Sequence, residues 1–323
     1  MTANKTIYKK KLSFDQLAAP MMVCFIFFLF FKNPQIAIDR IVNGLFLCAN
    51  TVIPSLFPFM VISELMIASG IGDLLGRYLM RPMSFLFGIS GNGACALILG
   101  MLCGFPVGTK CAVSLYDKGE ISKEECERLL SFCNIPSISF TVNIVGQRIF
   151  GDSSVGWLFY AILVASSIAL GMIGADKSRS LTFSRSPSRT KRQQRLSASC
   201  FVRAVEGSAR STLTICAYVV FFSSFVGVLD VVFNALNAPL MLKTLICGAL
   251  EMTNGAVACE AFESPPVRGA LCALFVGWSG ISVHFQMLSI CDGKGLRLGR
   301  YIVNKLLQGI ICSVIVALFF VLK

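Results

Sequence analysis

Charge is scarce in this chain and histidine nearly absent. Of its 323 residues only 14% are charged, where soluble domains carry about 25%. His284 is the single imidazole. The fourteen cysteines form no C-x-x-C pair, and most sit inside apolar runs (Cys24, Cys95, Cys103, Cys216, Cys247, Cys272, Cys312). No clustered ligand set for a metal is present, and the thiols read as small, reduced packing residues. No Ser-His-Asp or Cys-His arrangement forms, because Ser282 and His284 are two apart and point to different sides of a helix. A phosphate loop is missing as well. Gly104-Phe105-Pro106-Val107-Gly108-Thr109-Lys110 lacks the G-x-x-x-x-G-K-[ST] order and follows no strand. Enzyme, metal, cofactor and nucleotide-binding classes are therefore not expected. The apolar runs lack period-2 alternation, which excludes a membrane barrel.

Apolar residues are abundant: 55% are hydrophobic and the mean hydropathy is +0.73. Several runs are long enough to cross about 30 Å of hydrocarbon, which takes about 20 helical residues. The expected fold class is an all-α polytopic membrane protein, with the lipid bilayer as its surroundings. The first run, from Ala18, is read as a retained helix, since no small-residue cleavage pattern follows Phe31. The net charge of +12 does not point to nucleic acid, because the excess sits in two blocks beside apolar segments. One is Lys5, Lys9, Lys10 and Lys11; the other holds seven Lys/Arg between Lys177 and Arg195. Cytoplasmic enrichment of Lys and Arg explains both.

Along the chain the pattern gives helix 1 at about 14–32, an amphipathic interfacial piece at 34–50, and helix 2 at 52–71. A second amphipathic piece follows at 72–87, then an interrupted segment at 92–117. A charged helix spans 120–133, with Ser122 and Glu125 spaced as a capping box. Helices at 134–150 and 155–175 close the first half. The exposed linker is expected at 176–200, after which the pattern restarts. Arg40-x-x-x-Gly44 is echoed by Arg203-x-x-x-Gly207, Leu97-Ile98-x-Gly100-x-Leu102 by Leu245-Ile246-x-Gly248-x-Leu250, and Pro136-Ser137-Ile138-Ser139 by Ser279-Gly280-Ile281-Ser282. Three echoes in one order indicate an internal repeat.

Helix counting sets the orientation. With the N-terminus cytoplasmic and the two interrupted segments re-entering, 23 of the 29 Lys/Arg fall on the cytoplasmic side, including Lys294 to Lys305. The other six are Lys32, Arg40, Arg148, Lys243, Arg268 and Lys323. Residues 1–33 then supply an odd crossing that inverts a second repeat (201–323) against a first (34–175). The expected architecture is two inverted repeats, each with a broken helical hairpin, plus one extra N-terminal helix. Paired breaks inside apolar segments point to the substrate site of a secondary transporter.

Candidate residues follow from that reading. At the first break Gly104, Pro106 and Gly108 free the backbone and expose half-helix N-termini to an anion. Lys110 either adds a charge there or snorkels to headgroups. At the second break stand Glu251, Thr253 and Asn254. A carboxylate inside an apolar segment is costly, so Glu251 is a candidate for proton or cation coupling, with a salt bridge or helix cap as the alternative. Two polar stripes follow the breaks: Asn134, Ser137, Ser139, Thr141 and Asn143 in one half, Ser279, Ser282, His284 and Gln286 in the other. His284 is either a proton or substrate group or a packed, hydrogen-bonded imidazole.

At these motifs the chain resembles sporulation integral membrane proteins of the YlbJ type, within the wider nucleoside-recognition "gate" domain family. The likeness rests on Ile53-Pro54-Ser55-Leu56-Phe57-Pro58-Phe59, Gly104 to Lys110, Gly119 to Glu125 through Leu130, Leu250 to Gly255, and Gly280 to Gln286. The resemblance implies an endospore-forming bacterium and a place in the outer forespore membrane. It further implies transport of a small dianion, dipicolinic acid, from the mother cell toward the spore. A nucleoside or nucleobase transporter and a non-transporting envelope scaffold are the alternatives.

Overall fold

A computed structural model describes residues 14–175 and 197–323, so the basic N-terminus and most of the expected linker lie outside the described residues. Hydrocarbon offers the backbone no hydrogen-bond partners, and every regular element among the described residues is helical. α1 (Phe14–Lys32) turns at Asn33 into α2 (Pro34–Leu47), which runs through a π-helical turn at Cys48–Val52 into α3 (Ile53–Ala68). α4 (Ile71–Pro82), α5 (Ala94–Cys103), α6 (Val107–Asp117) and α7 (Lys123–Leu130) follow. A wide π-helical stretch, Phe140–Ile149, leads to α8 (Ser153–Ile173). The second half comprises α9 (Ala198–Ala235), α10 (Leu240–Leu250), α11 (Met252–Ala258), α12 (Pro265–Trp278), α13 (Gly280–Cys291) and α14 (Gly299–Leu322). Among the described residues, α8, α9, the α12–α13 run and α14 are long and apolar enough to cross a bilayer. Leu75–Phe87 and Gly91–Cys103 form a further pair bent by 96°. The protein is an all-α polytopic membrane protein.

The scaffold is an antiparallel pair. α2–α3 is continuous from residue 34 to 68 and lies against α9 in a steady register. Arg40 meets Asp230 at 3.6 Å, Gly44 abuts Val220, Cys48 Sγ faces the Cys216 carbonyl at 3.8 Å, and Thr212 Oγ1 reaches Met60 Sδ at 3.6 Å. Lys110 ties the last contact, bonding Glu64 at 2.9 Å and the Gly207 carbonyl at 3.3 Å. The piece at 34–50 thus does not lie along the interface as its pattern implied. Ala37 and Gly44 are small enough for α9's backbone to approach, and that packing takes the helix into the bundle. α9 also begins at Ala198, well before the expected 211 and inside the expected linker, with Ser197 capping it through Cys200 N.

Both interrupted segments are hairpins. A helix rises about 1.5 Å per residue, so residues eight apart should stand about 12 Å apart. A methyl built on Gly100 would instead lie 3.0 Å from the Gly108 Cα, and one on Gly255 would collide with the Gly248 Cα. The chain therefore reverses at Gly104–Pro106 and again at Glu251, with a glycine pair holding each set of arms together. The φ of Gly104 is +79°, a conformation that costs other residues a clash.

The two hairpins enter from opposite ends. Gly207 and Asp230 are separated by about 35 Å of continuous helix, and the basic residues sort accordingly. Near one end Lys294 binds Asp117 at 2.7 Å, the Arg297 amide binds Glu127 at 2.8 Å, and Arg300 binds the Gly174 carbonyl. At the other, Arg40 pairs with Asp230, Arg148 with Glu260 at 3.3 Å, and Lys243 with Asn234 at 2.6 Å. The open end of α5–α6 lies at the first set and that of α10–α11 at the second. Ser122 and Glu125 close the expected capping box, each side chain bonding the other's amide. The charged helix is shorter than its pattern, however, and Asn134–Ser137 is irregular where a helix was expected.

Two outcomes follow. Single cysteines at Lys118 and Asn237, on a cysteine-free background, should react with an impermeant maleimide from opposite faces of oriented vesicles. Gly100→Ala drives a methyl into the Cys133 carbonyl and should cost about 1–3 kcal/mol, read as a lower melting temperature in detergent. Gly299→Ala meets nothing and should leave it unchanged.

Candidate functional site

Each hairpin tip is pressed against a second break. A methyl on Gly104 would stand 2.5 Å from the Ser137 amide, in the irregular stretch Asn134–Ser137. In the other half, a methyl on Gly280 would stand 2.8 Å from the Met252 amide, beside Glu251. Here Ser279 and Gly280 both take positive φ, +76° and +75°. For serine that is a sparsely populated conformation, held by its surroundings. Four breaks in a membrane bundle thus meet in two facing pairs, and their freed backbone groups line protein or a cavity.

A cavity of about 80 Å³ lies between the pairs. Hairpin 1 contributes Phe105, the opposing break Pro136, Ser137, Ser139 and Phe140, hairpin 2 Glu251, Met252 and Thr253, and α13 Val283 and Gln286. Val52 and Leu56 of the α2–α3 run and Ile215 and Val219 of α9 close it at the middle of the antiparallel pair. That depth is near the centre of the bundle. A separate cleft of about 640 Å³ opens near the Lys294 end, between Tyr218 and the Asp292–Leu298 loop, and none of the expected site residues line it.

Among the described residues, Glu251 is the only ionisable one on the cavity wall. Its side chain is 2% exposed, and Oε2 accepts the Asn254 amide hydrogen at 2.6 Å, capping α11. The N-terminus of α11 is therefore already capped by a side chain of its own and is not free for an incoming anion. Asn254 is turned away, its Nδ2 donating to Ser223 Oγ at 3.0 Å.

The expected residues divide into groups. Ser137, Thr253, Gln286 and Glu251 come together on the cavity with Ser139. Gly104, Pro106 and Gly108 shape the hairpin that supports it, the Phe105–Pro106 peptide being cis. Asn134 is buried behind that hairpin, accepting from the Thr109 hydroxyl at 2.8 Å and donating to the Leu130 carbonyl at 3.0 Å. Lys110 is placed elsewhere, spent on Glu64 and the Gly207 carbonyl where α3, α6 and α9 meet. Ser282 is fully buried with no hydrogen-bond partner for its hydroxyl. His284 points away from the cavity, stacked edge-on against Trp278 at 4.3 Å and with Nδ1 2.9 Å from the Tyr301 hydroxyl. Thr141 bonds back to the Ser137 and Ile138 carbonyls, and Asn143 to Ser139, so the first stripe reaches the cavity only at its start.

Sequence reasoning missed the aromatic and aliphatic wall. Phe105 was legible as the residue between Gly104 and Pro106; Ile215 and Val219 carry no signal that separates them from other apolar residues of α9. It also placed Lys305 among the cytoplasmic bases. The structure buries it, at 1% exposed, midway between α14 and its neighbours.

Comparison with curated proteins finds a sporulation integral membrane protein, YlbJ of Bacillus subtilis (strain 168), 28% identical over 90% of this chain and 81% of the relative. That likeness supports the YlbJ-type assignment. No family model matches, and no solved structure does. The assignment covers both hairpins, so the cavity belongs to the shared part of the two chains.

Removing the cap tests the local energetics of hairpin 2. Glu251→Ala strands the Asn254 amide and should cost about 0.5–2 kcal/mol. Glu251→Gln keeps an acceptor oxygen and should lose less, as a melting series in detergent would show.

Proposed function

We propose that the chain is a secondary transporter of the sporulating cell, moving a small planar solute through the cavity between its hairpin tips. The observation that supports this is geometric: two hairpins from opposite ends of the bundle meet a second break each, around one cavity at mid-depth. That is the arrangement in which one element per side gates a fixed site. The Lys/Arg distribution supports an orientation with the Lys294 end and the N-terminus on the cytoplasmic side. The sporulation relative supports a setting in a membrane of the sporulating cell, and the outer forespore membrane is the one we propose.

Dipicolinate is the proposed substrate, and the cavity sets a condition on it. Phe105 and Phe140 offer faces for a flat ring, and Ser137, Ser139, Thr253 and Gln286 offer hydrogen bonds. No base among the described residues lines the wall, so a dianion is admitted only with a compensating proton or cation, and Glu251 is the group that accepts it. A cavity of about 80 Å³ is smaller than the roughly 300 Å³ at which ligand pockets begin. The solute therefore enters as a hairpin moves away. The same absence of positive charge favours a second reading, a neutral nucleoside or nucleobase.

Purified protein in liposomes should accumulate labelled dipicolinate under an imposed proton gradient, and Glu251→Gln should lower the rate about tenfold, a change of 1.4 kcal/mol. Uptake no greater than in empty vesicles removes the transport reading. Competition by uridine or adenosine, with none by dipicolinate, transfers it to the nucleoside class.

A further inference from the structure

Lys305 is an ionisable residue buried inside the α14 span, and the mechanism above does not use it. Its ammonium makes one hydrogen bond, to Gln308 Oε1 at 2.9 Å, and none of the ion pairs among the described residues includes it. A lysine ammonium has three donors. Burying one with a single neutral partner is costly in any interior, and inside membrane spans such residues mark ion and proton pathways. The polar groups around it form a connected string. Gln308 Nε2 donates to the Leu163 carbonyl at 3.0 Å and to Ser166 Oγ at 3.3 Å, and Ser166 Oγ lies 3.3 Å from Cys312 Sγ. One turn before Lys305, Tyr301 meets His284 Nδ1, and the Nε2 of that ring has no partner. Tyr301, Lys305, Gln308 and Cys312 are all buried and spaced by four, three and four residues, so they share one face of α14. These four residues cover about 16 Å of the helix axis, with the Tyr301–His284 pair one turn from the Lys305–Gln308 string.

We propose that Lys305 is a buried proton-exchange site, linked through Tyr301 and His284, that takes up and releases one proton in each transport cycle. The ammonium gives up a single proton and is left as a neutral amine; no electron moves and no other bond changes. The titratable groups around it are His284 of α13, Tyr301 and Cys312 of α14, and Cys133 of the stretch before the first break. From α7 and the N-terminal end of α14 come Arg128, bonded to the Phe87 and Gly88 carbonyls, and Arg300, bonded to the Gly174 carbonyl. α8 and α12 bring no carboxylate to this seam, and on α7 Glu125 is held by the Ser122 amide and Glu127 by the Arg297 amide. A proton on Lys305 therefore has no resident counter-charge, and the charged form is favoured only when the seam opens to water. The link to transport rests on the reading of the cavity as a transport site; the exchange itself does not.

Two measurements separate these. In ¹⁵N-lysine-labelled protein in lipid, the side-chain signal lost in Lys305→Met should change between about pH 5 and pH 9, a range in which an ordinary lysine stays charged. Lys305→Gln identifies the same signal should the methionine variant not fold. A signal constant over that range overturns the proposal whether or not transport is seen. In liposomes, Lys305→Met should abolish proton-driven accumulation while reducing solute exchange by less than about threefold, and Lys305→Arg, permanently charged, should reduce both. Proton-driven accumulation retained in Lys305→Met overturns the coupling role. A titrating signal in protein that transports nothing supports the exchange site and removes the transport reading alone.

Discussion

Everything in this bundle depends on how it satisfies a broken backbone where no water is at hand. A helix interrupted in hydrocarbon exposes amides and carbonyls that cost several kcal/mol each if left alone. Here each interruption is set against another: Gly104 against Ser137, Gly280 against Met252. The absence of a side chain at those glycines is what brings two backbones within reach of each other. Glu251 completes the arrangement by capping α11 from within the break. The cavity is what remains between two such closures.

That economy explains why the cavity's chemistry is sparse. Most of the polar atoms that the breaks supply are consumed in holding the hairpins: Asn134 on Thr109 and Leu130, Asn254 on Ser223, Lys110 on Glu64. What faces the cavity is one carboxylate, a few hydroxyls, an amide and two aromatic rings. Charge selection falls to a single residue, and recognition of shape falls to Phe105 and Phe140.

The breaks were legible because glycine, proline and a carboxylate interrupt runs that otherwise read as continuous apolar helix, and the capping box at Ser122 was legible from spacing alone. The echo of Arg40-x-x-x-Gly44 in Arg203-x-x-x-Gly207 pointed to the two helices that pack antiparallel. Other features carried no local signal. The 34–50 piece has an amphipathic pattern, and its small residues serve α9 where the pattern alone suggested an interface. Lys305 sits in a stretch with Arg297 and Arg300 and shares their composition, yet the turn of α14 carries it inward while they stay at the end. Lys110 and His284 were identified as polar residues in apolar surroundings, and only tertiary packing shows that they serve partners away from the cavity.

The register of α2–α3 against α9 has a consequence for biogenesis. Gly44, Cys48 and Met60 meet Val220, Cys216 and Thr212, so the face they present is synthesised well over a hundred residues before the helix that covers it. During translation the first hairpin and its scaffold helix must wait in the membrane with that face toward lipid or an insertion factor. Gly44, Cys48 and Met60 offer lipid no charge during the wait, and Arg40, nearer the helix end, gains its Asp230 partner only when α9 arrives. The first half is thus inserted as an incomplete unit, and the arrival of α9 is the event that makes it a bundle.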